Sequence, residues 1–264
     1  MQIDFTGKTA LITASSGGIG FGIAQGLAAA GASVTINGRS QTSVDRAIER
    51  LQATLPKAVI SGAVADLGTV EGCDALISQV PEVDILVNNA GIYGMLDFFD
   101  TDDATWDRYW QTNVMSGVRL SRHYIESMQN KDWGRIVFIS SESARNIPAD
   151  MIHYGVSKTA QLSLSRGLAK KLAGSGITVN SVLPGPTRSD GFDALFADEA
   201  ESTGKSIDQL GKEFVMAQRP SSVIQRPASV EEVANMVVYV CSSQASATSG
   251  AALRVDGGVV DDIV

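Results

Sequence analysis

Two rhythms of apolar and polar positions run along this chain. Short unbroken apolar runs recur, and longer stretches with apolar residues three and four positions apart lie between them. The runs read as strands buried on both faces, and the stretches as helices with one apolar stripe. Thr9 to Thr13 opens the series. Ala14-Ser15-Ser16-Gly17-Gly18 turns the chain, and Ile19 to Ala30 follows with Ile19, Ile23, Leu27 and Ala30 on one helical face. Gly31 stops that helix, and Ala32 to Ile36 is a second strand. Ser40 to Leu55 is a polar amphipathic helix ended by Pro56. Lys57 to Gly62 is a third strand, Thr69 to Gln79 a helix, and Val83 to Val87 a fourth strand running into Asn88-Asn89-Ala90-Gly91.

The alternation continues with a long helix over 102–128 and a strand over 134–139 ending in Ser140-Ser141. A second long helix covers 151–173 and carries Tyr154 and Lys158; a strand over 177–182 then ends in Leu183-Pro184-Gly185-Pro186. Residues 187–226 leave the pattern. They are polar, acidic and helix-prone, with apolar points at Phe192, Leu195, Phe196, Leu210, Phe214, Val215 and Met216. Ser229 and Glu232 form a capping-box pattern at the head of a helix to Val240, and Ala251 to Val255 is a last strand. Repeated strand–helix units without a shift in composition predict an α/β fold in one domain, 1–264, with a doubly wound parallel sheet and helices on both faces.

Composition narrows the classes. A chain of 264 residues with 44% hydrophobic and 19% charged residues has enough apolar surface for a sizeable core. Its net charge of −8 argues against a nucleic-acid binder or a protein held at an anionic membrane. The apolar runs are of strand length, so no membrane span is expected, and the opening MQIDFTGK lacks the apolar core of a signal peptide, which points to the cytoplasm. Cys73 and Cys241 are far apart and read as buried free thiols. With His123 and His153 they show no metal-ligand spacing, so no metal site is expected.

The strand, turn and helix over 9–30 can hold pyrophosphate at a helix N-terminus, where free N–H groups and the helix dipole favour negative charge. Small residues in the turn let the backbone approach the phosphates, and Gly20 and Gly22 let the helix pack close to the sheet. In open parallel sheets ligands bind beyond the carboxyl ends of the strands. Asn89, Ser141, Tyr154 and Pro184 all fall near that edge. Tyr154 and Lys158 stand four apart and share a helix face. A phenol has a pKa of about 10 in water, and a lysine cation one turn away stabilises the phenolate and lowers it. Ser141 adds a hydroxyl to hold a substrate oxygen. The set suits proton transfer at a carbonyl or alcohol oxygen while hydride moves at carbon.

These motifs resemble the short-chain dehydrogenase/reductase family over essentially the whole chain. TASSGGIG (13–20) is similar to the family's TGxxxGIG, with Ala14 in place of the first glycine. NNAG (88–91), Asn113 in QTNVMSG, Ser141 in FISSESA, YGVSK (154–158) and LPGPTRS (183–189) follow in the family's order and spacing, with Ser189 where threonine is usual. The resemblance implies a Rossmann-like fold and a homotetramer. It implies Tyr154 as general acid in reduction and base in oxidation. Lys158 would lower its pKa and hold the nicotinamide ribose, Ser141 would polarise the substrate oxygen, and Asn113 would anchor a water in a proton relay to Lys158. It places the cofactor against Ser15, Ser16, Gly18, Ile19 and Gly20. Asp66 and Leu67 would flank the adenine, and Asn89, Ala90 and Gly91 its ribose. Pro184 and Gly185 would lie beside the nicotinamide, with the main chain near Thr187 and the Ser189 hydroxyl on its carboxamide.

A family member that uses NAD usually carries an acidic residue at the end of the second strand, to bind the ribose hydroxyls. Here Gly38 stands there, in Ile36-Asn37-Gly38-Arg39-Ser40. Arg39 offers a fork to a phosphate, and Asn37 and Ser40 add hydrogen bonds, which points to NADP(H) over NAD(H). Position 17, often basic in NADP(H) members, is glycine.

Residues 187–226 occupy the place of the family's substrate loop. Their phenylalanines and Met216 either wall an apolar pocket or bury a helix pair on the core, and both readings stand. His153 adjoins Tyr154 and either reaches the substrate or sits at the pocket rim without a chemical role. The expected substrate is a small ketone or secondary alcohol. The alternative is a 3-oxoacyl group on an acyl-carrier protein, whose acidic surface asks for arginines around the site mouth; Asp132 and Ser175 stand where that subclass carries them. A third reading, from another class, is a nucleotide sensor without catalysis.

Overall fold

The computed structural model describes residues 2–263. Its strands are β1 (Thr9–Ile12), β2 (Ser33–Gly38), β3 (Ile60–Val64), β4 (Ile85–Asn88), β5 (Gly134–Ile139), β6 (Ile177–Pro184), β7 (Thr187–Arg188), β8 (Ala228–Ser229) and β9 (Ala252–Val255). The helices are α1 (Gly18–Ala29), α2 (Gln41–Thr54), α3 (Val70–Gln79), α4 (Asp103–Trp110), α5 (Ser116–Asn130), α6 (Ile152–Lys171), α7 (Asp190–Leu195), α8 (Ala197–Thr203), α9 (Ile207–Gln218) and α10 (Val230–Cys241). Seven strands form one sheet in the order β3-β2-β1-β4-β5-β6-β9, and every pairing in it is parallel. This is the doubly wound, Rossmann-like α/β fold that the sequence pattern predicts.

The alternation of side chains along each strand splits the core in two. Ile12, Ile85, Val87, Val137 and Ile139 face one layer, where Ile23 and Leu27 of α1, Leu51 of α2 and Val237 of α10 are buried. Leu11, Leu86, Ile136 and Phe138 face the other, filled by Leu76, Leu120, Tyr124 and Met128. Between β1 and β4 the chain changes direction across the sheet, and the switch opens a crevice at the carboxyl edge.

Four departures from the sequence expectation matter for the site. First, β2 runs on through Asn37 and Gly38, which pair with Ala63 and Val64, so the second and third strands lie later than their apolar runs suggest. Second, the helix expected over 102–128 is not continuous. Gln111–Met115 forms a π-helical turn, with the Ser116 N–H donating back to the Gln111 carbonyl. Third, β6 extends to Pro184 because Leu183 and Pro184 pair with Arg254 and Val255 of β9. Fourth, Gly22 makes its close approach to another helix, not to the sheet. A Cβ there would lie 3.2 Å from Val230, and one at Gly26 2.9 Å from Val238, so α1 packs tightly on α10.

The capping-box and free-thiol expectations hold. Ser229 and Glu232 form the capping box at the head of α10. Cys73 and Cys241 are buried free thiols, and burial pushes the Cys241 thiol up to about 12. Among the described residues no helix is long and apolar enough to cross a membrane. Residues 187–229 leave the sheet and return through β7 and β8, which pair Thr187 with Ala228 and Arg188 with Ser229.

Candidate active site

The turn between β1 and α1 is fastened from three sides. Thr13, buried, accepts the N–H groups of Asn89 and Ala90 on its hydroxyl, each at 2.8 Å. The Asn89 amide donates to the carbonyls of Thr13 and Ala14 at 2.9 and 3.1 Å. The Asn37 side chain accepts the Ala14 N–H at 2.9 Å and donates to the Ala63 and Ala65 carbonyls. Ala14 takes the left-handed conformation, φ +49°, that glycine adopts most readily. A Cβ on Gly20 would come within 2.6 Å of the Asn89 amide, so that glycine is required for the close approach.

Two cavities flank this turn and share Ala14, Gly91, Ile92 and Tyr93. One, of about 660 Å³, is lined by Ser16, Arg39, Asp66, Leu67 and Ala90. The other, of about 490 Å³, is lined by Gly18, Ile19, Asn89, Ser141, Tyr154, Lys158 and the stretch Pro184–Thr187 with Ser189. Together they form a groove along the carboxyl edge, over the N-terminus of α1.

Several residues assigned to the cofactor from sequence spend side-chain hydrogen bonds within the protein. Ser15 is fully buried, and its hydroxyl donates to the Ile12 carbonyl while accepting the Asn37 N–H. Asn37 spends its side chain on the turn and on β3, so it shapes the groove without a free group for a phosphate. The Ser40 and Ser189 hydroxyls accept the N–H groups of Ser43 and Phe192 and cap α2 and α7. Arg39 is exposed at the end of the groove and lines it next to Ser16 and Gly38.

At the other end the structure gathers Asn113, Ser141, Tyr154 and Lys158. Ser141 follows the end of β5, and Tyr154 and Lys158 come from the first turns of α6. Lys158 is buried; its Nζ donates to the Ile139 carbonyl at 2.9 Å and lies 5.6 Å from the Tyr154 ring centroid. Burial without a compensating charge brings the lysine down to about 7. Tyr154 moves opposite to the expectation. Burial pushes its phenol up to about 12, the Ser141 hydroxyl pulls it down, and the Glu142 charge adds to the rise. Lys158 is turned to a backbone carbonyl and does not offset these effects.

Asn113 sits in the π-helical turn with its side chain fully engaged. Its Oδ1 accepts the Ile92 N–H at 2.8 Å, and its Nδ2 donates to the Ile92 carbonyl and the Ser157 hydroxyl at 3.0 and 2.9 Å. Its main-chain carbonyl accepts the Gln161 amide at 2.6 Å, and the Gln161 Oε1 accepts from Lys158 Nζ at 3.3 Å. Gln161 thus spans the two groups between which the sequence resemblance places a water. The sequence did carry a signal for it: Gln161 stands three residues after Lys158 on the same helix face.

Sequence reasoning also missed Glu142 and Arg219. Glu142 follows Ser141 directly and is 3% exposed, and its Oε1 accepts from Arg219 Nε at 2.7 Å. Both line the cleft with Tyr154. Arg219, just past α9, had no signal, since nothing local relates it to a residue 77 positions away. Phe192, Leu195 and Phe214 complete the wall. Phe192, Phe196 and Leu210 also form a small core of their own with Phe214 against it, so they bury these helices on one another and not on the two main cores. Met216, by contrast, is 40% exposed and does not line the cleft.

His153 neither reaches the substrate side nor sits on its rim. It is buried against Tyr109 and Trp106 and lines a separate cavity behind α6. Asp132 and Ser175 adjoin the amino ends of β5 and β6, the sheet edge opposite the cleft, where Asp132 accepts the Gly176 N–H. They do not set the charge around its mouth.

Fold and cleft together define a doubly wound α/β protein with a Ser–Tyr–Lys cluster at the switch-point edge. A family model described as enoyl-(acyl carrier protein) reductase matches residues 13–260. The uncharacterized oxidoreductase YvaG of Bacillus subtilis is 43% identical over 263 residues, covering 100% of both chains. The 3-oxoacyl-acyl-carrier-protein reductase FabG of Rickettsia felis is 33% identical over 261 residues, covering 98% of this chain and 99% of the other. The solved structure of L-sorbose reductase from Gluconobacter frateurii, complexed with NADPH and L-sorbose, superimposes with a TM-score of 0.91 at 30% identity over the whole of both chains. The chain belongs to the short-chain dehydrogenase/reductase family of oxidoreductases.

Proposed function

We propose that the protein is an NADP(H)-dependent oxidoreductase acting on a small ketone or its secondary alcohol, with Tyr154 as the acid–base group. The observation that carries the reading is the meeting of Ser141, Tyr154 and Lys158 in the cleft that continues the groove over α1. The groove suits a dinucleotide. Gly18 at the head of α1 has φ +56° with little but Ser189 near its missing Cβ, and a Cβ at Gly17 would meet nothing, which leaves the helix N-terminus open to an anion. Arg39, free of ion pairs with the described residues, stands where a ribose phosphate would extend. NADPH in the sorbose reductase complex and NADP in a putative gluconate dehydrogenase from Beutenbergia cavernae support the same cofactor.

A bound nicotinamide supplies or receives the hydride. The chain's own residues manage the oxygen. In reduction the Tyr154 hydroxyl gives its proton to the carbonyl oxygen as that oxygen gains an electron pair, and in oxidation the phenolate takes the proton back. Ser141 donates to the same oxygen. Lys158 would hold the cofactor ribose, and its positive charge beside the phenol would lower the pKa of Tyr154. The same reading carries a cytoplasmic homotetramer. Trp110 on α4 and Val156 on α6, 42% and 39% exposed, offer apolar surface for it.

The test is a fluorescence titration with NADPH and NADH, then NADPH consumption over free ketones and a 3-oxoacyl carrier-protein thioester. The expected result is tighter binding of NADPH and turnover of free ketones. Tyr154→Phe should lower kcat by about 100- to 10,000-fold with NADPH affinity retained. Turnover confined to the carrier thioester would replace this reading with a 3-oxoacyl reductase, and binding without turnover would leave a nucleotide sensor.

A further inference from the structure

One polar feature of the cleft neither moves a proton nor holds the reacting oxygen in the chemistry above. Most of the substrate wall is apolar, made by Ile92, Phe192, Leu195 and Phe214. Into it the fold places the Glu142–Arg219 ion pair, 3% and 17% exposed. Burying such a pair costs desolvation, and replacing it with apolar groups is commonly neutral or stabilising. Packing alone therefore gives little reason for it.

The bonding of the pair is incomplete on the side that matters. Glu142 accepts from Arg219 on Oε1 and from the Ser143 hydroxyl on Oε2. Arg219 donates Nε to Glu142 and Nη1 to the Gln218 carbonyl, which leaves the Nη2 donors without a protein partner among the described residues. A carboxylate accepts more hydrogen bonds than two, and a guanidinium has five N–H groups to give. Spare donors and spare acceptors thus lie side by side in the cleft, one residue along the chain from Ser141. A ligand carboxylate would satisfy the arginine and be repelled by Glu142. A bare alkyl chain would satisfy neither. A hydroxyl accepts from Arg219 and donates to Glu142 at once.

We infer that Glu142 and Arg219 select a carbonyl substrate bearing a hydroxyl group near the reacting carbon, such as a hydroxyketone or ketose. The inference rests on the proposed ketone reduction and names the substrate class of that same site. A site built to hydrogen-bond a substrate hydroxyl discriminates strongly against the analogue lacking it, because its polar groups are then left unpaired.

The test uses matched four-carbon ketones with NADPH: acetoin, butanone and acetoacetate, with fructose as a larger hydroxyketone. The wild-type protein should reduce acetoin with kcat/KM at least about tenfold above butanone and above acetoacetate. Arg219→Met should bring the acetoin-to-butanone ratio close to parity through the KM for acetoin, with NADPH affinity by fluorescence unchanged. Arg219→Lys keeps the charge and loses the fork, and it serves if the methionine variant does not fold; its ratio should fall between the two. Equal rates on acetoin and butanone, a preference for acetoacetate, or an acetoin preference that survives in the Arg219 variants would overturn the inference and leave ketone reduction standing. NADPH binding with no turnover of any carbonyl compound would overturn both.

Discussion

The two ends of the groove are built on different principles. The end proposed for the cofactor is backbone held by buried and half-buried side chains: Thr13, Asn37 and Asn89 direct their hydrogen bonds into the turn and lock it. The substrate end is faced by α7 to α9, which have their own small aromatic core and are tied to the site by one buried ion pair, Arg219 to Glu142. Their other ion pairs, such as Lys205 with Glu213, are exposed and contribute little. A preorganised end fits a ligand of fixed shape, and a loosely attached end is where relatives of one fold diverge in substrate.

The largest expected change in cofactor binding tests the rigid end. Arg39→Asp places a carboxylate where the guanidinium faces the groove. NADPH affinity should fall by on the order of 10- to 100-fold, and NADH affinity should hold or improve. Titration of both cofactors into the variant checks this. An unchanged ratio would mean that the free arginine at the end of β2 plays no part in choosing the cofactor.

The next effect tests the loose end. Phe196 packs against Phe192 and Phe214 in tilted and edge-to-face contacts with ring centroids 5.1 and 5.6 Å away, in a cluster separate from the two main cores. A buried Phe→Ala change costs about 3–5 kcal/mol, enough to open a local unit of low stability. In Phe196→Ala the amides of 207–218 should lose hydrogen-exchange protection while those of the sheet keep theirs. Tm should move by less than about 2 °C. A larger drop in Tm would mean that α7 to α9 fold as one unit with the sheet.

The same contrast explains what could be read in the sequence. The cofactor end was legible because its elements are contiguous: an apolar run, a turn of small residues and a helix leave little choice of geometry. Tyr154 and Lys158 were legible because a helix fixes four-residue spacing. Roles that depend on where a side chain turns were not. Nothing local shows that Asn37 bonds back to Ala14, or that Lys158 rests on the Ile139 carbonyl and leaves the Tyr154 phenol high. The break in the helix over 102–128 was hidden because a π-helical turn inserts one residue without disturbing the apolar stripe enough to announce it. Arg219 was out of reach because its partner is set by the tertiary path of 187–229.

The smallest effect concerns Ala14, where this chain departs from the family's glycine. The left-handed conformation costs an L-residue roughly 1–2 kcal/mol, and a glycine there loses roughly 0.5–1 kcal/mol more conformational freedom on folding. The two nearly cancel, with a small balance toward glycine. Ala14→Gly should therefore raise Tm by about 1–3 °C, read by thermal unfolding of the cofactor-free protein. NADPH affinity should stay as it is, because the Ala14 N–H is held by Asn37 and its carbonyl by Asn89 whichever residue stands there. If glycine instead weakened NADPH binding, the alanine would be restraining the turn, and the hydrogen bonds of Asn37 and Asn89 alone would not suffice to keep the groove in shape.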